Sequence, residues 1–291
     1  MMNRFFALVL AGLLAASAAA QPQDRPAAQY QPQIGQPGKD VVWVPTPDRL
    51  IERMLQMADT TSSDVVLDLG SGDGRIPIAA AKKFGARALG VEYNPELVRF
   101  SIRAAKREGV ADRVRFLRQD LFRTDLSEAS VVTLYVSPAI MLQLRPRLLG
   151  LKPGTRVVSH QFTLGDWDPD ELARVENTNA YLWVVPAKAE GKWLLRLGDE
   201  SYSLQMRQEY QMLRGSVEQQ GKQQGKQQGK QAPLLAARLR GETIRFAFVD
   251  GNGDPRSFIG RIAGDVMDGT ARAHGQPEAR WSACRMSSPT C

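Results

Sequence analysis

Acidic side chains follow three separate apolar runs in this sequence, and together they could hold a ligand that carries hydroxyl groups. Asp68 and Glu92 each lie at the end of such a run, and Asp120 comes just after a third. If the runs are parallel strands, their carboxyl ends meet at one edge of a sheet, and the three carboxylates line one crevice. A carboxylate at the second strand end can accept hydrogen bonds from both hydroxyls of a ribose, and it repels a 2′-phosphate. These residues therefore predict a site for a ribose-containing ligand.

A glycine-rich turn directly after Asp68 narrows the kind of ligand. The segment 68–75 reads D-L-G-S-G-D-G-R, and its three glycines at alternate positions let the backbone approach a ligand closely. The spacing G-x-G-x-G differs from the G-x-G-x-x-G of dinucleotide binders. Asp68 would also add negative charge where a pyrophosphate lies, so a cationic ligand without phosphates fits better. S-adenosylmethionine, with its sulfonium and amino groups, is such a ligand, and Asp120 would then receive the adenine amino group.

The residues predicted to bind this cofactor belong to the glycine turn and to the acidic strand ends. They are Asp68, Gly70, Ser71, Gly72, Asp73, Glu92, Asn94, Asp120 and Leu121. For Asp73 and Arg75, contact with the backbone of the turn itself is the alternative. For Asp120, the alternative is an ordinary loop aspartate.

The segment Tyr135-Val136-Ser137-Pro138 closes a fourth apolar run, and the enzymes that this chain resembles position the accepting atom at such a strand end. Methyl transfer from a sulfonium needs mainly alignment of a lone pair with the methyl group. A lysine acceptor must also lose its proton, which favours a partly desolvated pocket or a nearby acceptor such as the Tyr135 hydroxyl. Tyr135 and Ser137 are therefore the predicted catalytic residues. His160, which ends a fifth run, is interpreted as structural rather than as a base.

Strand-like and helix-like patterns alternate from Val41 to about Pro186, which predicts an α/β fold with a Rossmann-like, doubly wound sheet. The first two helices are predicted at Pro47–Met57, with Thr46 as N-cap, and from the glycine turn to Phe84, with Gly85 as stop signal. A third helix begins at Asn94-Pro95, and its inner face is predicted to consist of Leu97, Val98, Ile102 and Ala105. A fourth helix is predicted at Pro138–Leu149. Two strand candidates, 172–175 and 181–185, have no helix between them and predict an antiparallel hairpin at one edge of the sheet.

After Pro186 the pattern changes to half-exposed strands separated by turn signals. Residues 187–291 therefore predict a small antiparallel β domain of six to eight strands. A low-complexity loop rich in Gln, Lys and Gly interrupts it at 218–231, and such a tract cannot bury apolar surface. Cys284 and Cys291 lie in this last part, and they either pair or remain free. No Cys or His pattern indicates a metal site.

The beginning of the chain reads as a secretory signal peptide over residues 1–20, with Arg4, an apolar run and small residues before Gln21. An unstructured leader is predicted at 21–40. The sequence therefore predicts export to the periplasm and no transmembrane span in the mature protein. If the signal is not cleaved, the protein would instead be anchored in the membrane. Part of the net charge of +7 lies in the signal peptide and the low-complexity loop, so nucleic-acid binding is not indicated.

The motifs at 65–75 and 90–95 resemble those of class I, seven-stranded S-adenosylmethionine-dependent methyltransferases. Within that class, the V-P-T-P segment at 44–47, the glycine turn and the pattern E-x-N-P-x-L-V at 92–98 are similar to the family of the mitochondrial ATP synthase c-subunit lysine methyltransferase. The resemblance covers about residues 41–186 and does not reach the β domain. It implies cofactor contacts at Asp68, Gly70, Gly72, Glu92 and Asp120.

The leading hypothesis is a methyltransferase that acts on a protein lysine, with a small-molecule acceptor as the wider alternative. A second hypothesis is an exported, non-catalytic protein of this fold that binds a partner in the cell envelope. A third, a nicotinamide-dependent oxidoreductase, needs a phosphate-compatible glycine spacing that this turn lacks.

Overall fold

A seven-stranded sheet forms the first part of the protein, whose computed structural model describes residues 30–220, 231–273, 275–289 and 291. Its strands are β1 (Val65–Leu69), β2 (Arg87–Glu92), β3 (Val114–Arg118), β4 (Val131–Leu134), β5 (Arg156–His160), β6 (Glu171–Val175) and β7 (Thr178–Val184). The order across the sheet is β3-β2-β1-β4-β5-β7-β6. Strands β1 to β5 are parallel, whereas β7 pairs antiparallel with both β5 and β6. The predicted doubly wound sheet with a hairpin at one edge is confirmed.

Four helices cover the sheet, and their bounds agree closely with the sequence pattern. They are α1 (Asp48–Met57), α2 (Arg75–Phe84), α3 (Pro95–Arg107) and α4 (Pro138–Leu149). Alternate residues of β1 point to opposite faces: Val66 packs in a cluster with α1, α2 and α3, whereas Leu67 packs in a cluster with α4. Gly85 ends α2 in the left-handed conformation, as predicted.

Two details of the helices differ from the sequence prediction. Pro47, not Thr46, is the N-cap of α1, and the Thr46 hydroxyl instead bonds to Nδ1 of His160 at 3.1 Å. On α3, helical periodicity predicts that Ile102 faces inward, but it is 39% exposed and Ser101 is buried beside it. The reason is that α3 faces the glycine turn, where the Ser101 hydroxyl donates to the carbonyl of Gly72 at 3.1 Å.

The C-terminal part is an antiparallel sheet of nine strands among the described residues. They are β8 (Gly191–Leu197), β9 (Glu200–Glu209), β10 (Met212–Gln220), β11 (Ala232–Pro233), β12 (Leu235–Arg240), β13 (Thr243–Val249), β14 (Pro255–Ala263), β15 (Val266–Ala273) and β16 (Ala279–Arg285). Because β9 also pairs with β10, eight of these strands close into a ring, and the short β11 lies beside it. We call this ring the barrel, and it confirms the predicted β domain.

The barrel has a filled interior and is fixed to the first sheet. Its core contains large aromatic side chains, namely Trp193, Tyr202, Phe246, Phe248, Phe258 and Trp281. Between the two parts, Nε1 of Trp167 donates to Oε1 of Gln211 at 2.9 Å, and Nε2 of Gln211 donates to the carbonyl of Asp168 at 2.7 Å. Residues 32–291 accordingly form one compact unit.

The chain ends differ in part from the sequence prediction. The predicted leader extends to Asp40, but Gly35 already donates a backbone hydrogen bond to Trp43, and Lys39 contacts the sheet domain through Asp120. The predicted loop at 218–231 begins later, because β10 continues to Gln220. Its repeats at 221–230 and the signal peptide at 1–20 lie outside the described residues.

The two cysteines of the chain lie close together in the structure. Cys284 and Cys291 form a disulfide, so the open choice between paired and free cysteines is resolved as paired. Over the part of the chain that the structure describes, no helix is long and apolar enough to cross a membrane.

Candidate active site

A cavity of about 420 Å³ lies at the carboxyl edge of β1, β2 and β4, where an open α/β sheet binds its ligand. Its size is within the range of small-molecule sites, roughly 300–1,000 Å³. The cavity wall contains every predicted site residue except Asn94: Asp68, Gly70, Ser71, Gly72, Asp73, Glu92, Asp120, Leu121, Tyr135 and Ser137. The structure therefore brings together residues that are far apart in the sequence.

The glycine turn adopts a backbone that side chains other than glycine rarely tolerate. Gly70, Gly72 and Gly74 have φ values of +81°, +54° and +81°. The N–H groups of Gly70 and Ser71 both donate to the carbonyl of Val91, at 2.9 Å each, which ties the turn to β2. A Cβ atom on Gly72 would lie 2.5 Å from Nε1 of Trp43. Glycine is therefore required at position 72 both by the backbone and by a neighbouring side chain.

Glu92 is oriented by the backbone around it. Its Oε2 accepts a hydrogen bond from the N–H of Gly72 at 3.0 Å, and its Oε1 accepts one from the N–H of Asn94 at 2.8 Å. A carboxylate has about four lone-pair sites, so both oxygens can still accept from ribose hydroxyls. Asn94 does not line the cavity. It caps α3 through its side chain and holds Glu92 through its N–H.

Asp68 is buried, with 2% of its surface exposed, and its Oδ1 accepts a hydrogen bond from the Thr133 hydroxyl at 2.7 Å. Burial raises the pKa of Asp68 to about 7. The hydrogen bond from Thr133 lowers this pKa and the negative charges of Asp73 and Glu92 raise it, and the value of about 7 is the net result of all these causes. A carboxyl group in this environment favours a cationic ligand, because a positive charge compensates for the loss of solvation.

Asp73 has a partner inside the protein. Both of its oxygens accept from the Arg75 guanidinium, at 3.0 Å from Nε and 2.6 Å from Nη2. Arg75 in turn donates from Nη1 to the carbonyl of Thr46 at 3.1 Å. Asp73 also accepts from the backbone N–H of Arg75 at 3.4 Å, which is a contact within the turn, and both side chains line the cavity.

Asp120 and Tyr135 lie at opposite ends of the cavity along the sheet edge. Asp120 follows β3 and Tyr135 follows β4, and β2 and β1 lie between these two strands. Its Oδ1 accepts from the N–H of Phe122 at 2.9 Å, and its Oδ2 accepts from Nζ of Lys39 at 2.8 Å. The hydrogen bond from Lys39 holds the pKa of Asp120 below its usual value. Leu121, the next residue, lies in the cavity wall and packs against the core cluster below it.

Residues 38–46, which we call the strap, form one wall of the cavity and were not predicted as site residues. Trp43 covers Gly72, and Lys39 lies 5.3 Å from the centre of the Tyr93 ring. The sequence signal for the strap is the V-P-T-P segment at 44–47, which belongs to the family resemblance but by itself indicates no role in the site.

An aromatic group lines the cavity near the end of β4. The ring of Tyr135 stacks on the ring of His160 with centroids 3.8 Å apart, and Phe162 lies 6.2 Å from Tyr135. His160 is buried, and burial lowers its pKa to about 4. It does not line the cavity, so its interpretation as a structural residue agrees with its place. Ser137 is the N-cap of α4 without a side-chain capping bond, and it faces the cavity.

The residues present fit the predicted cofactor. The cavity combines a buried carboxyl group for a cation, an oriented glutamate for a ribose and a glycine turn for close backbone approach. The hydroxyl of Ser71, in the same wall, is buried and has no hydrogen-bond partner among the described residues. A buried polar group without a partner is costly for the protein.

Comparisons with known proteins point to one chemistry. The model of the family described as "ANTKMT methyltransferase domain" matches residues 68–171 of this chain. A protein-lysine N-methyltransferase from Saccharolobus islandicus (strain REY15A) is 43% identical over 151 residues, which is 50% of this chain and 94% of that protein. The human ATP synthase c-subunit lysine N-methyltransferase is 40% identical over 131 residues, which is 45% of this chain and 55% of that protein.

A solved structure is also similar to this chain. It is an RNA methyltransferase from Salinibacter ruber in complex with S-adenosyl-L-homocysteine, at 50% identity and a TM-score of 0.49. The match covers 50% of this chain and 95% of that one. This chain spans nearly all of the relative from Saccharolobus islandicus, but only about half of the human relative.

Proposed function

This chain belongs to the S-adenosylmethionine-dependent methyltransferase family that includes the protein-lysine N-methyltransferases, and from that premise we propose that it methylates the side-chain amine of a lysine in a protein. The observation that carries the proposal is the separation of charge in the cavity. Among the described residues, all its carboxylates belong to the turn, the strap and the cofactor-side strand ends, whereas the acceptor end is formed by Tyr135, Val136, Ile140 and Phe162.

The acceptor end favours a neutral amine. An ammonium group that enters a mainly apolar, partly desolvated pocket loses solvation, which lowers its pKa and releases the lone pair that the reaction needs. Bound S-adenosylmethionine supplies an electrophilic methyl group on a positively charged sulfur. Tyr135 lies where its hydroxyl can accept a hydrogen bond from the amine, and the neutral His160 behind it adds no positive charge.

The residues at the cofactor end of the cavity are placed to hold and orient the cofactor. Glu92 offers two oxygen atoms fixed by the N–H groups of Gly72 and Asn94, and Asp68 offers a buried carboxylate held by Thr133. Because such groups are fixed before the ligand binds, little reorganisation is needed when the acceptor arrives. The alternative of a non-catalytic binding protein has no support among the relatives.

The experiment is turnover of the purified protein with S-adenosylmethionine labelled in its methyl group, on an extract of proteins and, separately, on total RNA. Methylated lysine should be recovered after acid hydrolysis of the protein fraction. Glu92→Ala should abolish the labelling, whereas Glu96→Ala, an exchange at the neighbouring helix start, should leave it intact. Label that enters RNA and not protein would contradict the proposal for the acceptor.

We also propose that the protein is exported. The signal-like sequence at 1–20 and the Cys284–Cys291 disulfide both support this location, because disulfides persist mainly in oxidising compartments. Fractionation of the native cells with N-terminal sequencing tests it. A periplasmic protein that begins at about Gln21 is expected, and an unprocessed cytoplasmic protein with reduced cysteines would rule export out.

A further inference from the structure

The barrel contributes nothing to the cavity. Among the residues that the structure describes, none beyond Phe162 lines it. The barrel interior is filled by its own side chains. Its position is fixed by the side chain of Gln211, which accepts from Trp167 and donates to the carbonyl of Asp168, and by the N–H of Ala187, which donates to the carbonyl of Gly241. Any contact of the barrel with another molecule is therefore made by its outer surface.

On that surface there are two pairs of arginines, and the two members of each pair occupy directly opposed positions on neighbouring strands. Arg207 of β9 is in register with Arg214 of β10, and Arg238 of β12 is in register with Arg245 of β13. Arg240 lies two residues after Arg238, on the same side of β12, and all five side chains are exposed. We call these five residues the arginine face. Like charges at opposed positions destabilise a sheet, so this arrangement is unfavourable for the barrel by itself.

Few carboxylates balance the arginine face. Asp170 pairs with Arg238 at 3.1 Å, and Glu209 is exposed two residues from Arg207. The other arginines of the face form no ion pair with the described residues, whereas arginines elsewhere on the barrel, such as Arg261 and Arg272, do. A concentration of unpaired positive charge attracts anions.

Exposed apolar side chains are interleaved with these arginines. Met212, Arg238, Arg245 and Ile259 occupy one row across four neighbouring strands, in register from β10 to β14. Met212 is 51% exposed and Ile259 is 43% exposed. Of the aromatic residues described on these strands, none is exposed, so the face lacks the stacking platforms that single-stranded nucleic acids use. Positive charge mixed with aliphatic side chains instead suits a lipid surface.

We propose that the arginine face, together with Met212 and Ile259, binds the surface of a membrane that contains anionic phospholipids. The guanidinium groups attract the negatively charged headgroups, and the two apolar side chains enter the boundary between headgroups and acyl chains. Such binding holds the active site beside a bilayer. The proposal does not depend on which acceptor the enzyme methylates, because membrane binding is measured without turnover.

The test is co-flotation of the purified full-length mature protein with vesicles of phosphatidylcholine alone or of phosphatidylcholine mixed with phosphatidylglycerol. The wild type should bind only the anionic vesicles. The double variant Arg207→Glu/Arg245→Glu should bind them at least about tenfold more weakly, since each basic residue near an anionic surface contributes about a factor of five. It should fold normally, because each new glutamate then faces an arginine, Arg214 or Arg238.

The matched control is Arg196→Glu/Arg280→Glu, which changes the net charge equally at two exposed arginines outside the arginine face, on β8 and β16. The control should retain anionic vesicle binding. Met212→Ser should weaken binding several-fold without changing the charge. Equal loss in the two double variants, binding to neutral vesicles at the same strength, or binding of single-stranded RNA in place of anionic vesicles would each overturn the proposal.

Discussion

The imidazole ring of His160 lies against the phenol ring of Tyr135, with the two centroids 3.8 Å apart. His160 is also bonded through Nδ1 to the Thr46 hydroxyl at 3.1 Å, and burial lowers its pKa to about 4. A neutral, buried ring therefore supports the aromatic wall of the cavity and connects it to the strap. His160 acts as a positioning residue, since it contacts Tyr135 and does not line the cavity.

Two variants of His160 separate the ring contact from the hydrogen bond. His160→Phe keeps an aromatic ring behind Tyr135, and we expect it to retain most of the kcat for methyl transfer. His160→Asn keeps a hydrogen-bond acceptor for Thr46 but loses the ring, and kcat should fall by about tenfold, which corresponds to about 1.4 kcal/mol. KM for the cofactor should change little in both. If the two variants have equal kcat values, the stacking of the rings has no part in catalysis.

The pKa of Asp68 predicts how cofactor affinity depends on pH. A cationic ligand prefers ionised Asp68, and this group is ionised in the free protein only above about pH 7. Calorimetric titration with S-adenosylmethionine should therefore give a Kd that rises by up to about tenfold for each pH unit below 7 and is constant above it. Asp68→Asn should bind more weakly, with no such dependence. An affinity for the wild type that is independent of pH would exclude a charge interaction at Asp68.

Ionisation of Asp68, which should favour cofactor binding, should lower the stability of the free protein. The folded-state pKa of about 7 lies above the usual value of 3.8, so the folded protein holds a proton that the unfolded chain has lost. The free energy of unfolding should then decrease as the pH rises from about 4 to 7, by at most about 4 kcal/mol. Asp68→Asn removes this dependence. Denaturant unfolding at several pH values should show the variant to be the more stable protein at pH 8, and equal stabilities there would contradict the burial argument.

Gly72→Ala tests the contact between the glycine turn and the strap. The new Cβ would lie 2.5 Å from Nε1 of Trp43 and would add strain at a φ of +54°. Gly109→Ala is the matched control, because Gly109 has a φ of +70° with nothing within 4 Å of its Cβ position. The control should lose about 1 kcal/mol of stability and keep cofactor binding. The Gly72 variant should lose cofactor binding as well, and normal binding would show that Trp43 moves freely.

The disulfide between Cys284 and Cys291 should contribute to the stability of the barrel but not to methyl transfer in the cavity. Cys284 and Cys291 are separated by 7 positions, and Cys284 lies in the closing strand β16. Cys291→Ser should reduce the free energy of unfolding by roughly 2 kcal/mol at most, with methyl transfer unchanged. Thermal unfolding with and without a reducing agent checks this, since only the wild type should respond. A loss of turnover in the variant would connect the barrel to the active site.

The sheet and the acidic strand ends were predictable because they rest on local signals. Asp68 and Glu92 directly follow apolar residues, Asp120 comes shortly after the third run, and parallel strands bring such ends together whatever the loops do. The role of Asn94 as a cap was likewise visible, since Asn before Pro is a helix start.

The strap was not predictable in the same way. Trp43 and Lys39 belong to no regular element, and their contacts with Gly72 and Asp120 are made across long stretches of chain. Thr46 illustrates the same limit: a threonine before a proline indicates an N-cap, but His160, distant in the sequence, competes for its hydroxyl. Helical periodicity places Ile102 inward, whereas the position of the glycine turn determines which side of α3 is covered.

Strand β16 occupies a special position in the ring, because it pairs with β15 on one side and with β8, the first strand of the barrel, on the other. Its pairing with β8 joins the two ends of the barrel segment, so this contact has the highest entropic cost of closure and is expected to form late in folding. A chain that ends before Ala279 would leave β8 and β15 as two open sheet edges at once. Open edges recruit strands from other molecules, so such a truncation should cause aggregation even though every residue of the cavity is still present.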